Sequence, residues 1–333
     1  MKTNLFLLGM AVAAFSSCTN EEVTDVAQNR AIKFNQFVEN NTRQVTELDN
    51  NNQLNSFYVF GRFGNAADNY DTQIFNNESR SAQYYWQAGK FYSFGAYANG
   101  NDGQLATSAV SFNANDGELT FTDYTPDDTK DLVAAVTKMQ CNLDASQQEA
   151  VNLTFHHMLS QVKFTFNTTD GDEYTLSISE LKFKALHTAT CTYTKASNTI
   201  VWTGSTNNDY LYEGIADVAD GAKNYTVSSE SKLVIPQAGT NLLKVTFTAS
   251  ITGAGLNEKA DFEATLAVDE NIAGISEANT WMPGYRYNYT ATINGDNIKP
   301  DLGQQKIKFT VSVDPWKDAT SDQPVNPTQP VVP

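Results

Sequence analysis

Apolar and polar side chains alternate with a period of two over much of the chain. Ile307, Phe309, Val311 and Val313 are separated by Lys308, Thr310 and Ser312. Leu243, Val245, Phe247, Ala249 and Ile251 alternate with Lys244, Thr246, Thr248 and Ser250. Tyr285, Tyr287, Tyr289, Ala291 and Ile293 alternate with Arg286, Asn288, Thr290 and Thr292, and Phe262, Ala264, Leu266 and Val268 repeat the pattern. Successive side chains of a strand point to opposite faces, so each run predicts a strand with one buried face, as in antiparallel sheets.

Two runs slip phase. Val162, Phe164 and Phe166 are out of step with Leu153, Phe155 and Leu159, and Leu181 and Phe183 with Leu176 and Ile178. A one-residue slip predicts a β-bulge or a strand that changes sheets. Helical signals are scarce: Asp131 to Met139 and Glu270 to Glu277 each fit a short helical turn. Clusters such as Asn99-Gly100-Asn101-Asp102-Gly103, Asn115-Asp116-Gly117 and Thr169-Asp170-Gly171-Asp172 mark turns between strands. The pattern predicts an all-β protein of antiparallel sandwiches. A length of 333 residues suits two sandwiches better than one, with a boundary near residues 150–165. The last segment, 318–333, carries four prolines and no alternation, and is expected to be extended or disordered.

Composition narrows the classes. Lys and Arg total 22 against 38 Asp and Glu, a net charge of −16, and the pI is near 4.5. Nucleic-acid binding needs clustered cations, so it is excluded. Charged residues are only 18% although mean hydropathy is −0.41, so the polarity lies in Asn, Thr, Ser, Gln and Gly, the residues of turns and outward strand positions. Three cysteines exclude a disulfide scaffold, and 41% apolar residues permit a packed core.

Candidate chemistry is sparse. His156 and His157 are adjacent in a strand-like run and point to opposite faces, so they do not chelate one metal together; one is expected at a sheet edge and one in solvent. His187 is isolated, and no nucleophile elbow, zinc-helix motif or phosphate loop occurs. Asn113 to Glu118 has calcium-ligand types without the full loop spacing, which ordinary turn chemistry explains. Trp86 in Tyr84-Tyr85-Trp86 fits a core aromatic better than a sugar platform. Cys141 and Cys191 could pair in an oxidising compartment, but they fall in different predicted domains and are expected to be buried free thiols. No enzyme, cofactor or metal is expected.

The chain begins as an export signal. Met1-Lys2, the apolar run Leu5 to Phe15, and Ser16-Ser17-Cys18 describe a secretory leader over residues 1–17. Small residues before a Cys resemble a bacterial lipoprotein signal, in which Cys18 becomes the acylated first residue; Phe15 departs from the usual Leu. Such a chain anchors by burying methylenes, at about 0.8 kcal/mol each.

Several segments, in order along nearly the whole chain, resemble the fimbrillin family of Bacteroidetes, the pilins of type V pili. They are the leader ending at Cys18, Asp131-Leu132-Val133-Ala134-Ala135, Leu153 to Val162, Val234-Ile235-Pro236-Gln237, Trp281 to Tyr287, and the closing run Ile307 to Val313 before Asp314-Pro315-Trp316. The resemblance implies two tandem transthyretin-like antiparallel sandwiches, 18–155 and 156–317, and an outer-membrane lipoprotein that becomes part of a surface fimbrium. It also implies that an arginine-specific protease removes an N-terminal segment with the first strand, near 31–43, and that a neighbouring pilin fills the vacated groove. The matching residues here are Ile32, Phe34, Phe37 and Val38 for the exchangeable strand and Arg43 for cleavage, with Arg30 second. Family stalk subunits donate C-terminal strands, which makes Ile307, Phe309, Val311 and Val313 the candidate donor. The alternative from composition alone is a surface glycan-binding lipoprotein.

Overall fold

The computed structural model describes residues 30–38, 54, 56–100, 103–215, 223–238, 243–253, 255–268, 280–298 and 309–315. The leader, Cys18, Arg43, Ile307, the Glu270–Glu277 turn and the tail from 318 lie outside the described residues.

Among the described residues, nineteen strands follow in order. The first eight are Phe34–Val38 (β1), Tyr58–Gly64 (β2), Thr72–Ser79 (β3), Phe91–Asn99 (β4), Val110–Asn113 (β5), Glu118–Tyr124 (β6), Leu132–Gln140 (β7) and Val151–His157 (β8). Then come Ser160–Thr168 (β9), Thr175–Thr194 (β10), Thr199–Leu211 (β11), Tyr225–Ser228 (β12), Lys232–Val234 (β13) and Gln237–Ala238 (β14). Leu243–Gly253 (β15), Leu256–Leu266 (β16), Thr280–Trp281 (β17), Tyr285–Thr292 (β18) and Thr310–Pro315 (β19) complete the set, with one short helix at Gly295–Ile298.

One six-stranded sheet has the order β1-β8-β7-β4-β2-β3. A second runs β16-β15-β10-β6-β5, with β11 also on β10, and a third runs β12-β9-β18-β19, with β13 also on β9. The 20-residue β10 links the halves. Its first part, Thr175 to Phe183, pairs with β15, and its last part, Ala189 to Thr194, pairs with β6. The second sheet therefore supplies a wall to both cores. Tyr97, Leu119, Phe121, Cys191 and Tyr193 share one core, and Phe164, Phe166, Phe183, Phe247 and Tyr289 another. A third core, with Phe57, Phe75, Trp86, Phe94 and Phe155, lies on the other side of the first sheet. The expected division at 155/156 falls inside β8, and Cys191 and Tyr193 from after it pack with Leu119 from before it.

Both phase slips have structural causes. Between Ser179 and Lys182 the β10–β15 register shifts, with Glu180 at φ 55°, which is a β-bulge. Between β8 and β9 the chain leaves the first sheet for the third through Met158 and Leu159, both fully buried.

Two expectations are corrected. Asp131 to Met139 is not helical: Leu132 to Gln140 forms β7, with Leu132 to Val136 all buried. A separate core packs on each side of it, Val133 and Ala135 in one and Leu132, Ala134 and Val136 in the other, so both faces are covered and the alternation disappears. Pairing is also not uniformly antiparallel, because β1 lies parallel to β8 and β9 parallel to β18. Alternation reports which face is buried and carries no strand direction. Parallel neighbours need a long crossover, and in each half the intervening strands provide it.

Candidate functional site

The site is the seat of β1. Residues 30–38 are held by two successive ladders. At the start, Trp86 N donates to Arg30 O at 2.8 Å, Ile32 N donates to Tyr84 O at 2.8 Å, and Ala31 bridges Tyr85. Arg30 is itself exposed, and its Nη2 donates to Trp86 O at 3.3 Å. Val151 N then donates to Lys33 O at 2.7 Å, and β1 runs parallel to β8 from Phe34 opposite Val151 to Val38 opposite Phe155. β1 ends the strand order of its sheet, so among the described residues a single sheet neighbour holds it. Its counterpart β9, also parallel to a late strand, is flanked on both sides by β12 or β13 and by β18. Edge position makes β1 removable without splitting a sheet.

The side chains of this segment sort by parity. Ile32 is buried, and Phe34 lies among the rings of Phe57, Phe75 and Phe94 at 6.0, 5.5 and 5.6 Å. Val38 is half-buried against the same core. Gln36 takes the remaining inward place: it is 6% exposed, and its Nε2 donates to Leu54 O at 2.9 Å while its Oε1 is buried without a partner. Lys33, Asn35 and Phe37 face outward, Phe37 at 60% exposure. The expectation that Phe37 lines the groove is therefore corrected. Adjacent Phe37 and Val38 cannot share a strand face. The spacing of Ile32, Phe34 and Val38 already carried the signal that Gln36 points inward.

At the other end of the chain, β19 is the edge strand of the third sheet, antiparallel to β18 from Tyr285 opposite Pro315 to Thr290 opposite Thr310. Just before it, Phe309 packs against Phe164, Phe166 and Phe247 at 5.8, 5.9 and 6.0 Å, and Val311 is half-buried in the same core. Val313 pairs with Tyr287. The candidate donor strand is thus integrated in its own chain.

The remaining candidates resolve as structure. His157 is buried, its Nδ1 2.6 Å from Asp131 Oδ2, and the half-buried His156 ring lies 5.5 Å from Tyr193; neither stands in solvent, contrary to expectation, because the end of β8 is covered on both faces although Asn152 and Thr154 before it are exposed. His187 packs against Tyr210 at 5.2 Å. Cys141 and Cys191 are buried free thiols in separate cores, as expected, and burial pushes both thiols up from their ordinary pKa. Asn113 Oδ1 accepts from Asn115 N and Asp116 N, which closes the β5–β6 turn through Gly117 at φ 66°. No group of three or more metal-ligating side chains occurs among the described residues. Trp86 is 1% exposed and belongs to the core, so the sugar platform loses its main residue.

A family model described as Fimbrillin-like matches residues 29–316. Similar solved structures include a candidate cell adhesion protein from Bacteroides uniformis, 18% identical over 86% of this chain and 98% of that one, with a TM-score of 0.47. A candidate cell adhesion protein from Bacteroides fragilis is 13% identical over 88% and 100%, with a TM-score of 0.41. The fimbrial anchor protein Mfa2 from Porphyromonas gingivalis is 10% identical over 86% and 98%, with a TM-score of 0.39. No curated protein matches the chain.

Proposed function

The chain belongs to the Fimbrillin-like family, and from that premise we propose that it is a structural subunit of a type V pilus that serves adhesion. It is exported as a lipoprotein acylated at Cys18 and carried to the outer membrane and cell surface. An arginine-specific protease cuts at Arg43, β1 leaves, and a strand from a neighbouring subunit fills the groove. The observation that carries this reading is the seat of β1: an edge strand that packs apolar side chains into a core while one sheet neighbour holds it.

The energetics explain the order of events. With β1 in place, the β8 edge is satisfied and the groove is full. Its loss uncovers Val151, Leu153 and Phe155 and leaves backbone groups of β8 unpaired. Burial of each large apolar side chain is worth about 1.5–3 kcal/mol, so the empty groove favours a new strand strongly. Strand addition restores both the ladder and the burial. Arg30 suits cleavage less well, because a cut there leaves β1 attached and its carbonyl is already bonded to Trp86 N.

The test treats full-length protein, made without the lipid, with an arginine-specific protease and resolves it unboiled on a gel. Loss of residues 1–43 followed by an oligomer ladder is the expected result. Clean cleavage at Arg43 without any ladder, or unimpaired assembly of Arg43→Ala, would falsify the proposal.

A further inference from the structure

Strand edges in this fold are blunted, with one exception among the described residues. β1, β5, β12, β13, β14 and β17 are five residues or shorter, and β19 ends in Asp314-Pro315. β3 slips register twice against β2, and β16 carries Glu258, Lys259, Asp261 and Glu263. Short length, charge, proline and bulges protect an edge against pairing with another chain. β11 has 13 residues, no proline and a single charge, Asp209, which Lys182 Nζ meets at 3.5 Å. Among the described residues it pairs with β10 alone, and every residue from Thr203 to Asp209 is exposed. We propose that β11 pairs antiparallel with β11 of a second copy of this chain, across a two-fold axis at Thr206, joining two second sheets edge to edge. The contact lies apart from the β1 seat, needs no cleavage and goes beyond the strand-addition reading.

The partner follows from self-complementarity. Among the described residues five large apolar side chains are exposed, and two of them, Val201 at 54% and Leu211 at 62%, stand on this one strand. Their neighbours Trp202 and Tyr210 turn to the cores, so Val201 and Leu211 share the outward face. With Thr206 on the axis, Val201 falls opposite Leu211 of the second copy, and half-buried Trp202 falls opposite Tyr210. Both pairs occur twice by symmetry, so apolar side chains meet on both faces of the joined sheet. A slip by two residues sets Val201 opposite Asp209 or Glu213 and Trp202 opposite Asn208 or Tyr212. A slip by one sets outward Val201 opposite inward Tyr210 and turns the second copy over. One register therefore satisfies both faces.

The backbone of β11 agrees with this register. Thr199 to Thr203 and Asn207 to Leu211 pair residue for residue with β10, and the two register shifts fall between them. Around an axis at Thr206 the regular arm of one copy meets the regular arm of the other, and the irregular Gly204-Ser205-Thr206 segments lie at the centre. Charge does not oppose the approach. The chain carries a net charge of −16, yet residues 199–208 have none, and each Asp209 faces Thr203 of the other copy. A contact of one strand pair lies at the small end of protein interfaces, so the dimer is weak and concentration-dependent.

Sedimentation of the intact full chain, made without the lipid and with Cys18→Ala, tests the dimer. A monomer–dimer equilibrium should appear within about 10–500 μM. Val201→Lys and Leu211→Lys alter exposed side chains, so their unfolding curves should match the parent while the dimer dissociation constant rises about tenfold or more. Thr265→Lys, the same charge on the already charged β16 edge, should leave it unchanged. Cys141 and Cys191 are buried, so one engineered cysteine reports the register. Thr206→Cys faces itself across the axis and should give a covalent dimer on a non-reducing gel after mild oxidation. Asn208→Cys lies opposite Gly204 of the second copy, about 13 Å along the strand from its own counterpart, and should not. A monomer at every concentration, a dimer that both lysine variants leave intact, or equal cross-linking of Asn208→Cys and Thr206→Cys would overturn the proposal. Each of these leaves strand addition standing, because the β1 seat uses no residue of β11.

Discussion

Phe34 and Phe75 meet edge to face at 5.5 Å, although β1 and β3 stand at opposite ends of the six-stranded sheet. The sheet coils until its two edges approach, and the Phe34 ring fills the space between them beside Phe57 and Phe94. β1 is thus a plug in a core as well as a clip on an edge. Under the proposed function, this plug keeps the groove filled until cleavage releases it.

Phe34→Ala should remove this plug without affecting the rest of the fold. Loss of the ring from three aromatic neighbours should destabilise the intact protein by about 2–4 kcal/mol in urea unfolding. After removal of residues 1–43, variant and parent are the same molecule, and their unfolding curves should coincide. A difference that survives cleavage would show that β1 had not left.

Glu180 sits at φ 55° in the bulge of β10, a conformation unfavourable to a side chain with a Cβ. Glu180→Gly should raise stability by up to about 1 kcal/mol, and Glu180→Val should lower it by at least as much. Thermal unfolding of the two variants should therefore move in opposite directions from the parent. Equal losses in both would mean that the Glu180 side chain, rather than its backbone, matters there.

That bulge was legible because burial on one face writes a period of two, and an extra residue shifts its phase. The same rule located β15, β16 and β18. It fails at β7, where Leu132-Val133-Ala134-Ala135-Val136 is apolar throughout because a core packs on each face of the strand; a short apolar run of this kind resembles a buried helix segment equally well. It also said nothing of direction, so the parallel setting of β1 on β8 was invisible. In the site itself, Ile32, Phe34 and Val38 were legible as groove residues. Phe37 carries a hydrophobic signal but the wrong parity for the groove, and Gln36 has the right parity but, as a buried amide, no hydrophobic signal. The seat that β1 occupies is made by Phe57, Phe75 and Phe94, residues distant in sequence, which only the coiling of the sheet brings together.

Asp127 offers a prediction on pH. Its carboxylate accepts from the Thr129 hydroxyl at 2.7 Å and the Thr129 N–H at 3.0 Å, with Lys130 Nζ at 3.0 Å. These contacts, the Thr129 hydroxyl foremost, hold its pKa down to about 2. A depressed folded pKa stabilises above the unfolded value, near 4, and the gain is lost as pH falls from there through 2. The side chain is 44% exposed, so the contribution stays under about 1 kcal/mol. Thr129→Ala should move the Asp127 carboxyl titration upward by NMR; an unmoved midpoint would assign the shift to Lys130 instead.

The buried pair of Asp131 and His157 lies where the chain leaves the first sheet for the third. Asp131 immediately precedes β7, His157 ends β8, and their side chains are 6% and 7% exposed at a separation of 2.6 Å. Next to them Met158 N donates to Leu132 O, Gly284 N donates to Leu159 O, and Ser160 Oγ donates to Met282 O at 2.7 Å. The pair therefore borders the contacts that dock the β17–β18 loop onto the crossover. His157→Ala removes one partner and leaves a carboxylate in a site it cannot easily share with water, which should cost about 3–5 kcal/mol. Asp131→Asn keeps an oxygen that accepts from Nδ1–H and should cost about 1 kcal/mol. In the double variant His157→Ala with Asp131→Ala both members of the contact are gone, so its loss should be smaller than the sum of the two alanine singles by more than about 1 kcal/mol. Urea unfolding of the full cycle measures this coupling. Additive losses would mean that each side chain is held by its surroundings and that the short contact between them contributes little.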